Sequence, residues 1–128
     1  MDTTVLVNND IDLGYKLLDF LKEKNLEFKA ALWLYYSDRE RWYLLLSSPE
    51  VDDRGAREMY YKISKALLNR PDELREVESD DIKVIPYNSK LIQLFKNVVH
   101  IQDNSGVRFQ NNVINGQLIE DAYIYRIE

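Results

Sequence analysis

The chain has 128 residues, 45% apolar and 30% charged, which fits one hydrophobic core and excludes a disordered chain. It has no cysteine, so a disulfide framework, a thiolate metal site and a thiol nucleophile are all excluded. Its net charge of −5 disfavours nucleic acid as a partner, since phosphate contacts call for a positive footprint, and no run reaches the roughly 20 apolar residues of a membrane helix.

In chain order, residues 1–9 lack the basic start and long apolar run of a signal peptide and read as a disordered N-terminal stretch of a cytoplasmic protein. Asn9 or Asp10 caps a first helix, in which Leu13, Leu17, Phe20 and Leu21 recur at helical spacing. Gly14 falls inside it; glycine costs a helix about 1 kcal/mol there, so its presence implies close packing. Phe28 to Tyr36 and Trp42 to Ser48 read as strands joined through the polar stretch Ser37 to Arg41, and Pro49 closes the second. Gly55, with Glu58 three residues on, starts a second helix. Its stripe of Ala56, Met59, Tyr60, Ile63, Ala66 and Leu67 runs towards Asn69, and Pro71 stops it.

An acidic loop, Glu73 to Asp81, leads into a short strand, Ile82 to Ile85, ended by Pro86. Asn88 or Ser89 caps a third helix carrying Leu91, Ile92, Phe95, Val98 and Val99, and Asp103-Asn104-Ser105-Gly106 is a turn cluster. Finally, Val107 to Ile114 and Gln117 to Ile127 flank Asn115-Gly116, whose tolerance of positive φ suits a type I′ hairpin. The order αββαβαββ predicts an α/β (α+β) fold, a single mixed five-stranded sheet with three helices, as one domain over residues 1–128.

The first hairpin is apolar on both faces, with Ala30, Leu32, Leu34 and Tyr36 on one and Ala31, Trp33 and Tyr35 on the other. Such a strand is covered on both sides, by its own helices or by a partner. Trp33, Tyr35, Trp42 and Tyr43 are therefore candidate interface residues. In the last hairpin, pairing outward from Ile114 and Gln117 sets Val107, Phe109, Val113, Leu118, Ala122 and Ile124 on an apolar face, with Asn111 opposite Glu120. Arg108, Gln110, Asn112, Asp121 and Tyr123 take the other face, with Arg108 diagonal to Asp121 and within reach of an ion pair. Arg108, Asn111, Asn112, Glu120 and Asp121 form the candidate polar binding site, or a network that fixes register.

No phosphate-loop, dinucleotide or nucleophile-elbow motif is present, and a single histidine rules out a His–His zinc pair. His100 reads as a helix C-terminal charge or as a general base. Asp52, Asp53, Asp80, Asp81, Glu120 and Asp121 lie at or in strands and would have to converge to hold a metal ion. Arg54, Arg57, Lys62, Lys65 and Arg70 form a basic segment that either neutralises the acidic loop or offers a phosphate-binding face.

Two segments, AALWLYY…RWYLLLSSPEVDDRGAREMYYKI (Ala30 to Ile63) and VRFQNNVINGQLIEDAYIYRIE (Val107 to Glu128), resemble a family of small bacterial proteins of no assigned function. The resemblance implies a bacterial cytoplasmic protein and assigns no residue a role. The residues themselves favour a non-enzymatic protein-interaction module or small assembly subunit, homodimeric and without a cofactor, whose partner is a second copy or another subunit. The alternative is a metal-dependent phosphodiesterase or nuclease that uses the strand-end carboxylates.

Overall fold

In the computed structural model, which describes residues 6–101, 103 and 105–128, the first helix α1 spans Asn8–Glu23. The disorder expected for residues 1–9 concerns in part residues 1–5, outside the described residues; it fails from Leu6 on, which is buried. Val7 rather than Asn9 or Asp10 stands at the N-cap, and its backbone N–H donates to the Asp10 carboxylate at 3.1 Å. Asp10 still closes the first turn, from inside the helix.

Strands β1 (Ala30–Tyr36) and β2 (Arg41–Ser48) form the expected antiparallel hairpin. Pro49 does more than end β2: it opens a short helix, α2 (Pro49–Arg54), as proline at a first helical position can. Gly55, at φ 81, breaks α2 from α3 (Ala56–Leu67). The described residues therefore form four helices where three were expected. Two 3₁₀ turns, Asp72–Leu74 and Ser79–Asp81, punctuate the acidic loop, and buried Leu74 and Val77 anchor it. Next come β3 (Ile82–Pro86) and α4 (Lys90–Lys96), the latter capped by the Ser89 hydroxyl, which accepts from the Ile92 N–H at 3.4 Å. Helix α4 ends before Val98, which is exposed. The turn expected over 103–106 includes Asn104, outside the described residues. Strands β4 (Val107–Ile114) and β5 (Gln117–Ile127) close the chain.

The single mixed sheet has the order β3-β2-β1-β5-β4, antiparallel throughout except where β3 runs parallel to β2. One face packs against α1, α3 and the Leu74–Val77 loop, and the other against α4 and Ile101. The chain thus covers both faces of the first hairpin itself. Trp33, Trp42 and Tyr43 are buried in the fold, and half-buried Tyr35 packs its ring on Trp42 at 5.5 Å. For Trp33, Trp42 and Tyr43 this corrects the expectation of an interface: helices distant in sequence, not a partner, cover them.

A bulge in the β1–β5 pairing, between Ala31 and Leu32, lies opposite Tyr125 and brings that ring into the α1 layer. The Tyr125 hydroxyl donates to the Ile11 carbonyl at 2.7 Å and accepts from Trp33 Nε1 at 2.8 Å. Burial pushes its pKa far up, so it stays a donor at any physiological pH. The ring lies directly against Gly14, the close packing that the helical glycine implied.

The last hairpin has the expected register, with Ile114 opposite Gln117 and Phe109 opposite Ala122. Its faces differ from the expectation, because Asn111 adopts φ 52 and turns the strand over. Beyond it Ile114 and Ile119 point inward, while Val113 and Leu118 are 68% and 55% exposed. Asn111 and Glu120 consequently face solvent, not the apolar side. Glu120→Gln should therefore melt within about 0.5 kcal/mol of the parent. Asn111→Ala should lose about 1 kcal/mol through its left-handed backbone, and Asn111→Gly should not. Thermal denaturation of the three variants separates this from a buried network, in which Glu120→Gln would be the most damaging.

At the other side of the sheet, the Val84 N–H of β3 donates to the Tyr60 hydroxyl from α3 at 2.8 Å.

Candidate functional site

Of the five polar candidates in the last hairpin, the fold brings two together. Arg108 grips Asp121 through two hydrogen bonds of 2.7 Å each, from Nε and Nη2. A third, at 3.3 Å, runs from Arg108 Nη1 to the Leu6 carbonyl and ties the residue just before α1 to the hairpin. The Asp121 bond holds the Arg108 pKa above its ordinary value. Asn111, Asn112 and Glu120 stay in solvent. With both partners satisfied, the Arg108–Asp121 pair is a strut rather than a site.

The carboxylates at strand ends do not gather. Asp52 accepts from the Asn88 N–H at 3.2 Å, Asp81 pairs with Arg41, and Asp53 and Asp80 are exposed. Among the described residues no group of three or more His, Cys, Asp or Glu side chains is placed to hold a metal ion. His100 is exposed, and α4 ends at Lys96, so the imidazole does not sit in its last turn. Two members of the basic segment, Arg54 and Lys62, find their counter-charges on α2 and within α3, while Arg70 donates to the Arg75 carbonyl in the acidic loop at 3.2 Å. Lys62 lies 3.0 Å from Glu50 and 3.6 Å from Glu58, and Arg54 lies 3.8 Å and 3.9 Å from the same two carboxylates.

A different cluster forms where the β1–β2 turn meets β3. Tyr36 ends β1 and Tyr43 faces it from β2, their rings edge to face at 5.0 Å. Three cations are arranged on these rings. The Lys83 ammonium, from β3, lies 4.5 Å from each ring centroid. The Arg41 guanidinium lies 4.5 Å from the Tyr43 centroid. Arg39, in the turn, lies 6.0 Å from the same ring and donates from Nη1 to its hydroxyl at 3.1 Å. The Lys83 and Arg41 contacts are each worth about 0.5–1 kcal/mol at an exposed site and more where water is excluded.

Local geometry explains the assembly. Tyr36 pairs directly with Arg41 across the hairpin, and the parallel β2–β3 register sets Lys83 beside Leu45, two residues along from Tyr43 on the same face. Burial raises the Tyr36 pKa; neighbouring Tyr43 adds to the rise and Arg39 opposes it. The bond to Tyr43 likewise raises the Arg39 pKa.

The cations border an open recess of about 450 Å³ that also carries the Ser64 and Ser79 side chains and one carboxylate, Asp80. Arg41 is tied to Asp81 at 2.8 Å. Arg39 and Lys83 have no carboxylate within ion-pair distance among the described residues. The recess presents positive charge, ring faces and hydroxyl groups, a set suited to holding an anion. It contains no paired nucleophile and base.

The sequence marks Tyr43 as a candidate, while it places Arg39 and Arg41 only in a turn and Tyr36 only on a strand face. The readable signal was two arginines flanking Glu40 in a hairpin turn that follows Tyr35-Tyr36. Lys83 joins them only through the parallel pairing. Among the described residues no helix is long and apolar enough to cross a membrane. No family model matches the chain, and no curated protein and no solved structure matches it either.

Proposed function

We propose that the protein is a non-enzymatic interaction module that docks an acidic segment of a partner protein on the cation–tyrosine face. The observation that supports this reading is the state of Arg39 and Lys83. Both cations are held on tyrosine rings without a carboxylate partner among the described residues, in a chain of net charge −5. Held on rings, they lose less side-chain freedom on binding, which favours association. Their positions, one in a turn and the other on a strand from a distant part of the chain, suit a run of carboxylates better than one phosphate. The half-buried Tyr36 ring adds apolar area beside the charge, a combination that recurs at interface hot spots.

Fluorescence anisotropy with a labelled hexaglutamate peptide tests the proposal. The peptide should bind at low ionic strength and release as salt rises. Arg39→Ala with Lys83→Ala should weaken it about tenfold or more, while the melting temperature falls only by the modest amount that the lost ring contacts contribute and the variant stays folded. Three outcomes would overturn the reading: no binding at millimolar peptide, displacement by equimolar inorganic phosphate, or a mass of two chains in light scattering that falls to one with Lys83→Ala. The last would make a second copy the occupant.

A further inference from the structure

A second recess lies on the α1 side of the sheet. It is a partly enclosed cavity of about 140 Å³, walled by Leu13, Leu17, Trp33, Leu44, Val77 and Ile82. Protein cores hold few voids larger than a water molecule, and an apolar void of roughly 150 Å³ is known to admit a benzene ring. The indole of Trp33 offers this space only carbon surface, because its N–H is already engaged by Tyr125 at 2.8 Å. Asp10, Glu76 and Asp81 supply the charge; no cationic residue lines the cavity. Asp81 is offset by its bond to Arg41, and Asp10 receives the Val7 N–H. Glu76 is exposed and has no partner among the described residues. An apolar chamber bordered only by acidic side chains, one of them, Glu76, without a partner among the described residues, selects a ligand with an apolar body and a cationic head.

We infer that this cavity binds a small primary amine carrying an aryl or short alkyl tail, with the tail between Trp33, Leu17 and Leu44 and the ammonium group towards Glu76 and Asp10. The inference is independent of the acidic-segment reading. It uses the opposite charge sign and a different set of side chains, apart from Ile82, which borders both recesses.

Calorimetry and thermal denaturation with benzylamine, toluene and benzoate test it on the full chain. Benzylamine should bind at millimolar concentration and raise the melting temperature, toluene should bind more weakly, and benzoate should not bind. Glu76→Gln, an exposed and structurally neutral change, should weaken benzylamine about tenfold and leave toluene unchanged. Val77→Phe, which fills the chamber, should abolish both; if that variant does not fold, Glu76→Gln alone decides. Benzoate binding as well as benzylamine, or benzylamine binding unaffected by Glu76→Gln, would overturn the charge assignment. Absence of any heat or stabilisation with benzylamine would overturn the site.

Discussion

Gly14→Ala should destabilise the protein by about 2–5 kcal/mol, although the same change in an open helix gains about 1 kcal/mol. A methyl group at position 14 would fall 1.9 Å from the Tyr125 hydroxyl oxygen, 2.5 Å from Cζ and 2.9 Å from Cε2. The ring cannot swing aside cheaply. It is fully buried, and its hydroxyl is fixed between Ile11 and Trp33. Either α1 lifts from the sheet, losing packing along Leu17 and Leu21, or the hydroxyl moves and leaves the buried Trp33 N–H without its acceptor. Both costs exceed the gain in helix propensity. The double variant with Tyr125→Leu should melt no lower than Tyr125→Leu alone, because the clash has then gone. A rise in melting temperature for the single variant would mean that α1 does not pack on β5 in this way.

Trp42→Ala should cost about 3–5 kcal/mol, a large part of the roughly 5–15 kcal/mol that holds a domain together. The side chain is completely buried, with the Tyr35 ring at 5.5 Å and the Arg108 guanidinium at 5.8 Å, so truncation leaves a cavity its neighbours cannot fill. Guanidinium denaturation measures the loss. Light scattering on the same samples separates a core role from an interface role. Here the unfolding midpoint falls and the mass stays the same, whereas an interface residue would change the mass and leave monomer stability nearly intact.

The elements that local chemistry specifies were readable from the sequence. Asn115-Gly116 set the register of the last hairpin, and Gly14 announced a close neighbour without naming it. The unbroken apolar run from Ala30 to Leu34 implied cover on both faces, but not whose, since α1 and α3 reach it only through tertiary packing. Helix α2 went unread because a proline after a strand signals an ending, and only packing of Val51 in the core makes it a beginning. Asn111 misled for a similar reason: alternation assumes an unbroken strand, and one left-handed residue reverses every side chain beyond it. The cation–tyrosine face joins Arg39 and Arg41 to Lys83 across more than forty residues, and no spacing rule records a parallel pairing.

The hydroxyl that Tyr60 lays on the Val84 N–H has a consequence for the protein in crowded solution. An outermost strand with free donors is a template on which another chain can add and fibrils can grow. On β3 the Val84 donor is occupied, and two residues on Pro86 has none to offer. At the opposite margin, the left-handed Asn111 breaks the run of extended backbone in β4 that a recruited strand would pair with. Each rim of the sheet thus carries one feature that hinders the addition of a further strand.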